Sequence, residues 1–376
     1  MQKSGEGNTS QPPPPCRRVR RSRRSKPQMH VTPPFTYYDK NYFEGYANLG
    51  VHEDMIKDTV RTNTYRDAIM FHRPSIEGKV VIDVGCGTGI LSIFCAQAGA
   101  KRVYAIEASD IAMQARLVVE TNNLSNIITV LHGRVESMLE SVIIARDRWL
   151  KHGGLMLPSD ATLYMAPVTN IEVYRKSTDF WGDVYGIDMS PIIPLSKKSA
   201  FEEPSLEIIT SENLLTWPIE IKRLDCHSVT IPQIQSITKE FQLASLFEAP
   251  LHGFAFWFDV EFNGPVLEPT PITWVPSTSS VDDHQEEEEE EDSRKRKRGT
   301  ELSAAPILST APEDPETHWK QTLIYLHDPI ELEKYQIIKG SLKLSQNEDC
   351  ARSLDVHLEY ASGGQSYVKE TSLFLL

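Results

Sequence analysis

The 376-residue chain predicts an α/β domain of the doubly wound type followed by an antiparallel all-β domain. Three observations predict it. GKVVIDVGCGTGILSIFCAQAGA runs from a short apolar strand, Val80–Val84, through a glycine-rich turn into an apolar helix that starts at Ile90. RVYAIEAS then supplies a second strand ending at Glu107, a helix follows over about 111–121, and IITVLHG gives a third strand. That β-α-β-α-β order is the first half of a doubly wound sheet. After Pro158 the hydrophobic period changes to two.

Each element follows in order. Residues 1–34 form a Pro/Arg-rich arm whose run CRRVRRSRRSK, residues 16–26, has too little apolar surface to fold. Residues 35–157 make the α/β domain. It opens on an aromatic-rich stretch in which Met55, Ile56, Thr59, Val60, Tyr65 and Ile69 recur at helical spacing. Its last helix carries Leu139, Val142, Ile143 and Leu150 on one side.

Residues 158–376 make the β domain, a barrel or a sandwich. In HGFAFWFDVEF, Phe254, Phe256, Phe258, Val260 and Phe262 share one face, and RSLDVHLEY puts Leu354, Val356, Leu358 and Tyr360 on one side. A helical then irregular stretch rich in aromatics covers about 170–195. An insertion at about 265–312, with an acidic run at 286–292 and a basic run at 294–298, reads as disordered.

Composition narrows the setting. Hydrophobic residues make up 40% of the chain, ample for a core, and charged residues 24%. Five cysteines without a C-x-x-C pair point to a reduced compartment, with neither a disulfide framework nor a zinc or other metal site. No apolar run reaches the ~18 residues of a membrane span, and the N-terminus lacks the apolar core of a signal peptide. The net charge of −13 conceals two separate basic clusters, which point to the nucleus.

The glycine turn carries the chemistry. Gly85, Gly87 and Gly89 let the backbone turn tightly and pass close to a ligand where a Cβ would clash. Glu107 ends the second strand about twenty residues on, where a carboxylate can accept from both hydroxyls of a ribose. Together they imply an adenosine-type ligand, either a nicotinamide cofactor or S-adenosylmethionine.

The stretches YFEGYANLGVHEDMIKDTVRTNTYRDAI, VIDVGCGTGILSIFCAQAGA, VYAIEAS and THWKQTLIYL resemble the type I protein arginine methyltransferases. The resemblance spans residues 37–376 apart from the acidic insertion. It implies a Rossmann-like methyltransferase domain, a β-barrel with a helical dimerisation arm, a homodimer, and S-adenosyl-L-methionine as cofactor. It implies asymmetric dimethylation of arginine on histones and other Arg/Gly-rich proteins, with no membrane partner and no established nucleic-acid site.

The same resemblance implies residue roles. His52 and Arg61 would close over the cofactor, with Arg61 forking onto its carboxylate. Gly85 and Gly87 would approach it through their backbone, Glu107 would hold the ribose, and Val135 with Glu136 would meet the adenine. Tyr42, Phe43 and Tyr46 would form an aromatic lid, and His318 would pair with Asp58 in the active site.

One segment departs from the pattern. Family enzymes carry a fourth strand and a hairpin resembling Ser-Glu-Trp-Met-Gly-Tyr, whose two glutamates grip the substrate guanidinium. In this chain the flanking landmarks are fused as Val135-Glu136-Ser137-Met138-Leu139. Glu136 aligns with either the adenine contact or the second catalytic glutamate, and the first has no counterpart. The sheet should therefore be incomplete, leaving Val81–Val84 unpaired on one side. The chain should transfer methyl groups poorly or not at all. The alternative role is a catalytically dead, splice-form-like protein that dimerises with intact subunits.

Overall fold

The computed structural model describes residues 37–133, 138–264, 304–350 and 352–374. The helices are α1 (Tyr37–Tyr46), α2 (Leu49–Lys57), α3 (Thr59–Phe71), α4 (Arg73–Ile76), α5 (Ile90–Gln97), α6 (Ala112–Thr121), α7 (Met138–Trp149), α8 (Ile171–Thr178), α9 (Ile193–Phe201) and α10 (Ile231–Gln235). Strands β1 (Val80–Val84), β2 (Arg102–Glu107) and β3 (Ile128–His132) form a parallel sheet in the order β1-β2-β3. Short apolar strands joined by helices pair in parallel because each crossover returns the chain to the same end of the sheet.

Strands β4 (Asp160–Val168), β5 (Ser205–Glu207), β6 (Ile219–Asp225), β7 (Ser236–Ala244), β8 (Ala249–Glu261), β9 (Ile307–Ser309), β10 (Gln321–Leu332), β11 (Ile337–Gln346), β12 (Ser353–Ser362) and β13 (Gln365–Phe374) are antiparallel. They form one sheet ordered β5-β10-β8-β4-β6, with β9 on β8, and a second ordered β13-β12-β11-β7. Phe254, Phe256, Leu342, Val356, Leu358 and Tyr360 meet in the core between them. The two sheets enclose this core as the β-barrel domain.

Period-two alternation predicts one buried and one solvated face for β8. The structure buries both: Phe254 and Phe256 enter the barrel core, while Ala255 and Trp257 pack with Tyr174 of α8 and Phe201 of α9. The helices of the arm supply the second apolar layer. The C-terminal boundary of the insertion is also corrected. Strand β9 lies inside the range 265–312, because Leu308 is buried against Val260, Phe262 and Ala68. Residues 265–303 lie outside those described.

A single helical run across Met55 to Ile69 is broken at Asp58. Its backbone is extended, so it ends α2 and caps α3, accepting from the Arg61 N–H at 2.8 Å. The two halves of the fold interlock. Arg146 of α7 donates to the carbonyls of Cys226 and Val229, and His72 at the end of α3 bonds the Phe262 carbonyl at 2.6 Å.

Among the described residues β1 has one strand neighbour, β2, as the fused junction predicts. The segment joining β3 to α7 spans residues 133–137. No described helix is long and apolar enough to cross a membrane.

Candidate active and cofactor site

The glycine turn is built around Glu107. Gly85, Gly87 and Gly89 all have positive φ (76°, 54° and 88°), and the Gly85 and Cys86 N–H groups donate to the Ile106 carbonyl. The Gly87 N–H donates to Glu107 Oε2 at 2.9 Å, while the Ser109 N–H and Oγ both donate to Oε1 at 2.8 Å. Oε1 therefore has both lone pairs engaged and Oε2 keeps one for an incoming hydroxyl. The carboxylate anticipated for a ribose is thus already aimed by the protein, a function of Ser109 that the sequence reading missed.

His52 covers this turn. It is 3% exposed, its Nε2 donates to the Tyr46 carbonyl at 2.8 Å, and a Cβ on Gly87 would stand 3.0 Å from its Nδ1. A Cβ on Gly85 would meet nothing within 4 Å, so the turn faces open space there. Below the turn, Ser92 donates to Asp83 at 2.6 Å, and burial raises the Asp83 carboxyl above its ordinary range.

Arg61 projects from the first turn of α3. Its Nη1 reaches the Met55 carbonyl at 3.3 Å, and its guanidinium stands 5.6 Å from the Tyr65 ring and 6.0 Å from Trp319. Its Nε is buried without a hydrogen-bond partner. A half-buried guanidinium whose buried Nε is an idle donor is suited to a ligand carboxylate. With the spare lone pair of Glu107 and the open face of Gly85, these residues fit a cofactor with a ribose at one end and an amino acid at the other.

Asp58 and His318 come together across 260 residues of sequence. Asp58 Oδ2 accepts from His318 Nδ1 at 2.7 Å and from the His318 N–H at 2.8 Å. Burial alone would raise the Asp58 carboxyl. The Arg61 N–H and the two His318 donors outweigh that and hold it below the ordinary range. An ionised Asp58 only accepts, so Nδ1 carries the proton and Nε2 is left for another partner. Trp319 stacks beside the imidazole at 4.1 Å.

Tyr42, Phe43 and Tyr46 cluster on α1, with ring centres 5.3 Å and 4.6 Å from Tyr42. Val135 and Glu136 lie outside the described residues. The last described residue before them, Gly133, donates its N–H to the Glu107 carbonyl at 2.8 Å.

Comparisons with known proteins bear on the family of the chain. Residues 70–146 match the family model described as ribosomal protein L11 methyltransferase, so the α/β half is of the methyltransferase class. Residues 159–282 and 300–365 match the arginine methyltransferase oligomerization subdomain. The chain is 53% identical to "Probable protein arginine N-methyltransferase 6" of Arabidopsis thaliana, over 90% of this chain and 82% of that protein. It is 36% identical to "Protein arginine N-methyltransferase 6" of Danio rerio, over 87% and 90%.

Among solved structures, the Trypanosoma brucei PRMT1 enzyme-prozyme heterotetrameric complex with AdoHcy superposes with a TM-score of 0.70 at 27% identity, covering 88% of this chain and 99% of that one. Arabidopsis thaliana protein arginine methyltransferase 10 gives 0.70 at 26%, covering 89% and 100%. The chain belongs to the protein arginine N-methyltransferase family. Enzymes of this family take their methyl group from S-adenosylmethionine, and the oligomerization subdomain makes this chain one that assembles.

Proposed function

We propose that this chain is a nuclear member of the family that binds S-adenosylmethionine and the Arg/Gly-rich tails of histones and other basic proteins, and whose own rate of methyl transfer is low. The family reaction assigned to it is asymmetric dimethylation of arginine. The cofactor supplies an electrophilic methyl group. Arg61 would pair with its carboxylate, Glu107 would accept from its ribose, and His52 with Gly85 and Gly87 would shape its bed. Tyr42, Phe43 and Tyr46 would wall the target guanidinium, and Asp58 would hold His318 in one tautomer beside it.

A guanidinium is a poor nucleophile because it is cationic and loses its proton only above a pKa of about 12. Paired carboxylates turn it into an attacker by fixing one nitrogen and drawing charge to the others, and orientation of this kind can contribute roughly 7–11 kcal/mol. The carrying observation is the junction between His132 and Met138. It holds five residues, 133–137, of which Glu136 is the one acidic residue. A strand and a hairpin do not fit there.

A second reading, a non-catalytic subunit paired with intact subunits or with itself as a homodimer, is favoured by the arm. Tyr185 is fully exposed and Phe180, Ile187 and Leu195 are more than half exposed, an apolar surface suited to a partner. The Trypanosoma brucei neighbour is itself an enzyme-prozyme complex.

The test is incubation with methyl-labelled S-adenosylmethionine and a histone H3 tail. The expected result is label on arginine near background, with activity restored once a strand and hairpin are inserted between Val135 and Ser137. Label well above background in the unmodified chain overturns the low-rate reading.

A further inference from the structure

The turn between β11 and β12 carries Arg352, whose guanidinium carbon lies 3.7 Å from the centre of the Tyr42 ring and 4.8 Å from that of Phe43. The residue is 5% exposed. A guanidinium stacked on aromatic faces away from water makes a cation–π contact at the stronger end of its range. Its planar fork is the cation best shaped for that stacking. The turn that presents it is held in place. Asn347 Oδ1 accepts from the N–H groups of Asp349 and Cys350, its Nδ2 donates to Asp355, and the Ser353 N–H donates to the Cys350 carbonyl.

Helix α1 has its other attachment at its C-terminal end. The Tyr46 carbonyl accepts from His52 Nε2 at 2.8 Å, and Ser109 Oγ, whose proton goes to Glu107, stands 3.4 Å from it. Ser109 is the residue that aims Glu107. Helix α1 therefore hangs between the two halves of the fold, its end on the glycine-turn side and its rings on the barrel. The turn at Ala47 and Asn48 separates it from α2, which Asn48 caps. Burial pushes the Tyr42 hydroxyl up, Tyr46 and Glu107 add to the rise, and Arg352 opposes it.

We propose that Arg352 is a positioning residue that clamps Tyr42 and Phe43 and so holds helix α1 closed over the glycine turn, making the barrel the element that sets the lid. The role rests on the reading of these aromatics as a lid. Opening the lid to load or release cofactor requires breaking the stack, so retention of cofactor depends on a residue 310 positions from Tyr42 in sequence.

The test is amide hydrogen exchange of the full chain, with calorimetric binding of S-adenosylhomocysteine measured alongside. Arg352→Ala should speed exchange across α1 and weaken binding, each by roughly tenfold, while the amides of β12 and β13 keep their protection. Arg352→Lys should restore part of both, since charge returns without the planar fork. The pair Tyr42→Leu and Phe43→Leu should reproduce the loss from the lid side.

Unchanged α1 exchange in Arg352→Ala overturns the clamp. Loss of β12 and β13 protection in step with α1 also overturns it, showing a residue that supports only its own turn. Absence of S-adenosylhomocysteine binding in the unmodified chain would overturn the cofactor reading instead, and α1 exchange would still decide the clamp.

Discussion

Strands β1 and β8 are both rich in apolar residues, β1 as a short run and β8 as a period-two alternation, and they end in opposite situations. β8 lies between β4 and β10, and seven consecutive residues from Leu251 to Trp257 are buried. β1 has β2 alone beside it among the described residues. Val80 is 61% exposed and Val81 to Val84 are only partly covered. Local sequence makes a strand, but a distant segment decides whether that strand is interior or edge. For β8 that segment is present, in β4 and in the arm packed behind it. For β1 the five residues between His132 and Met138 are too few to supply it.

The sharpest way to break this comparison is to cut both strands. Phe254→Ala should cost about 3–5 kcal/mol, because the ring fills a closed core. Ile82→Ala in β1 should fall at or below the low end of the about 2–5 kcal/mol that a buried Ile→Ala change costs, since that residue is only partly buried. Urea denaturation of each variant measures the gap. Equal costs would mean that β1 is as interior as β8.

The glycine turn above β1 offers two further cuts. Arg61→Ala should weaken S-adenosylhomocysteine binding by roughly 10- to 100-fold, the scale of a charge-assisted hydrogen bond of about 1.5–3 kcal/mol. Unchanged affinity by calorimetry would remove Arg61 from the site. Gly87→Ala should destabilise the chain by about 1–2 kcal/mol, because an L side chain is strained at a φ of 54°. The new methyl would also press on His52 at 3.0 Å. A thermal-melt series with His52→Ala separates the two effects, since relieving the contact should recover only part of the loss.

The pattern of what the sequence disclosed follows the same division between local and distant. Val80–Val84, the helix start at Ile90 and the strand end at Glu107 were legible because each is encoded within a few residues. The break at Asp58 was hidden inside an unbroken apolar periodicity, and only its extended backbone and cap bond reveal it. The second buried face of β8 was not legible, because Ala255 and Trp257 are covered by helices roughly fifty to eighty residues earlier in the chain. Ser109 stands two residues after Glu107, where a hydroxyl donating to the preceding carboxylate could have been anticipated. Nothing near Arg352 in sequence points to Tyr42.

The Asp58–His318 contact carries the comparison to its smallest effect, because it joins the two halves rather than building either. Asp58→Asn keeps an acceptable helix cap and removes the charge that His318 meets, so it should cost about 1 kcal/mol at neutral pH. The folded carboxyl is held below its ordinary value of 3.8. The unfolded chain therefore takes up a proton first as pH falls. The stabilisation is fully present above 3.8 and disappears as pH drops through the lower folded value. Denaturation midpoints for the chain and for Asp58→Asn should stay separated above that pH and converge below it. A double-mutant cycle with His318→Ala isolates the pair. A gap that persists unchanged under acid, or a cycle that closes with no coupling, would show that Asp58 serves α3 alone and that the two halves meet elsewhere.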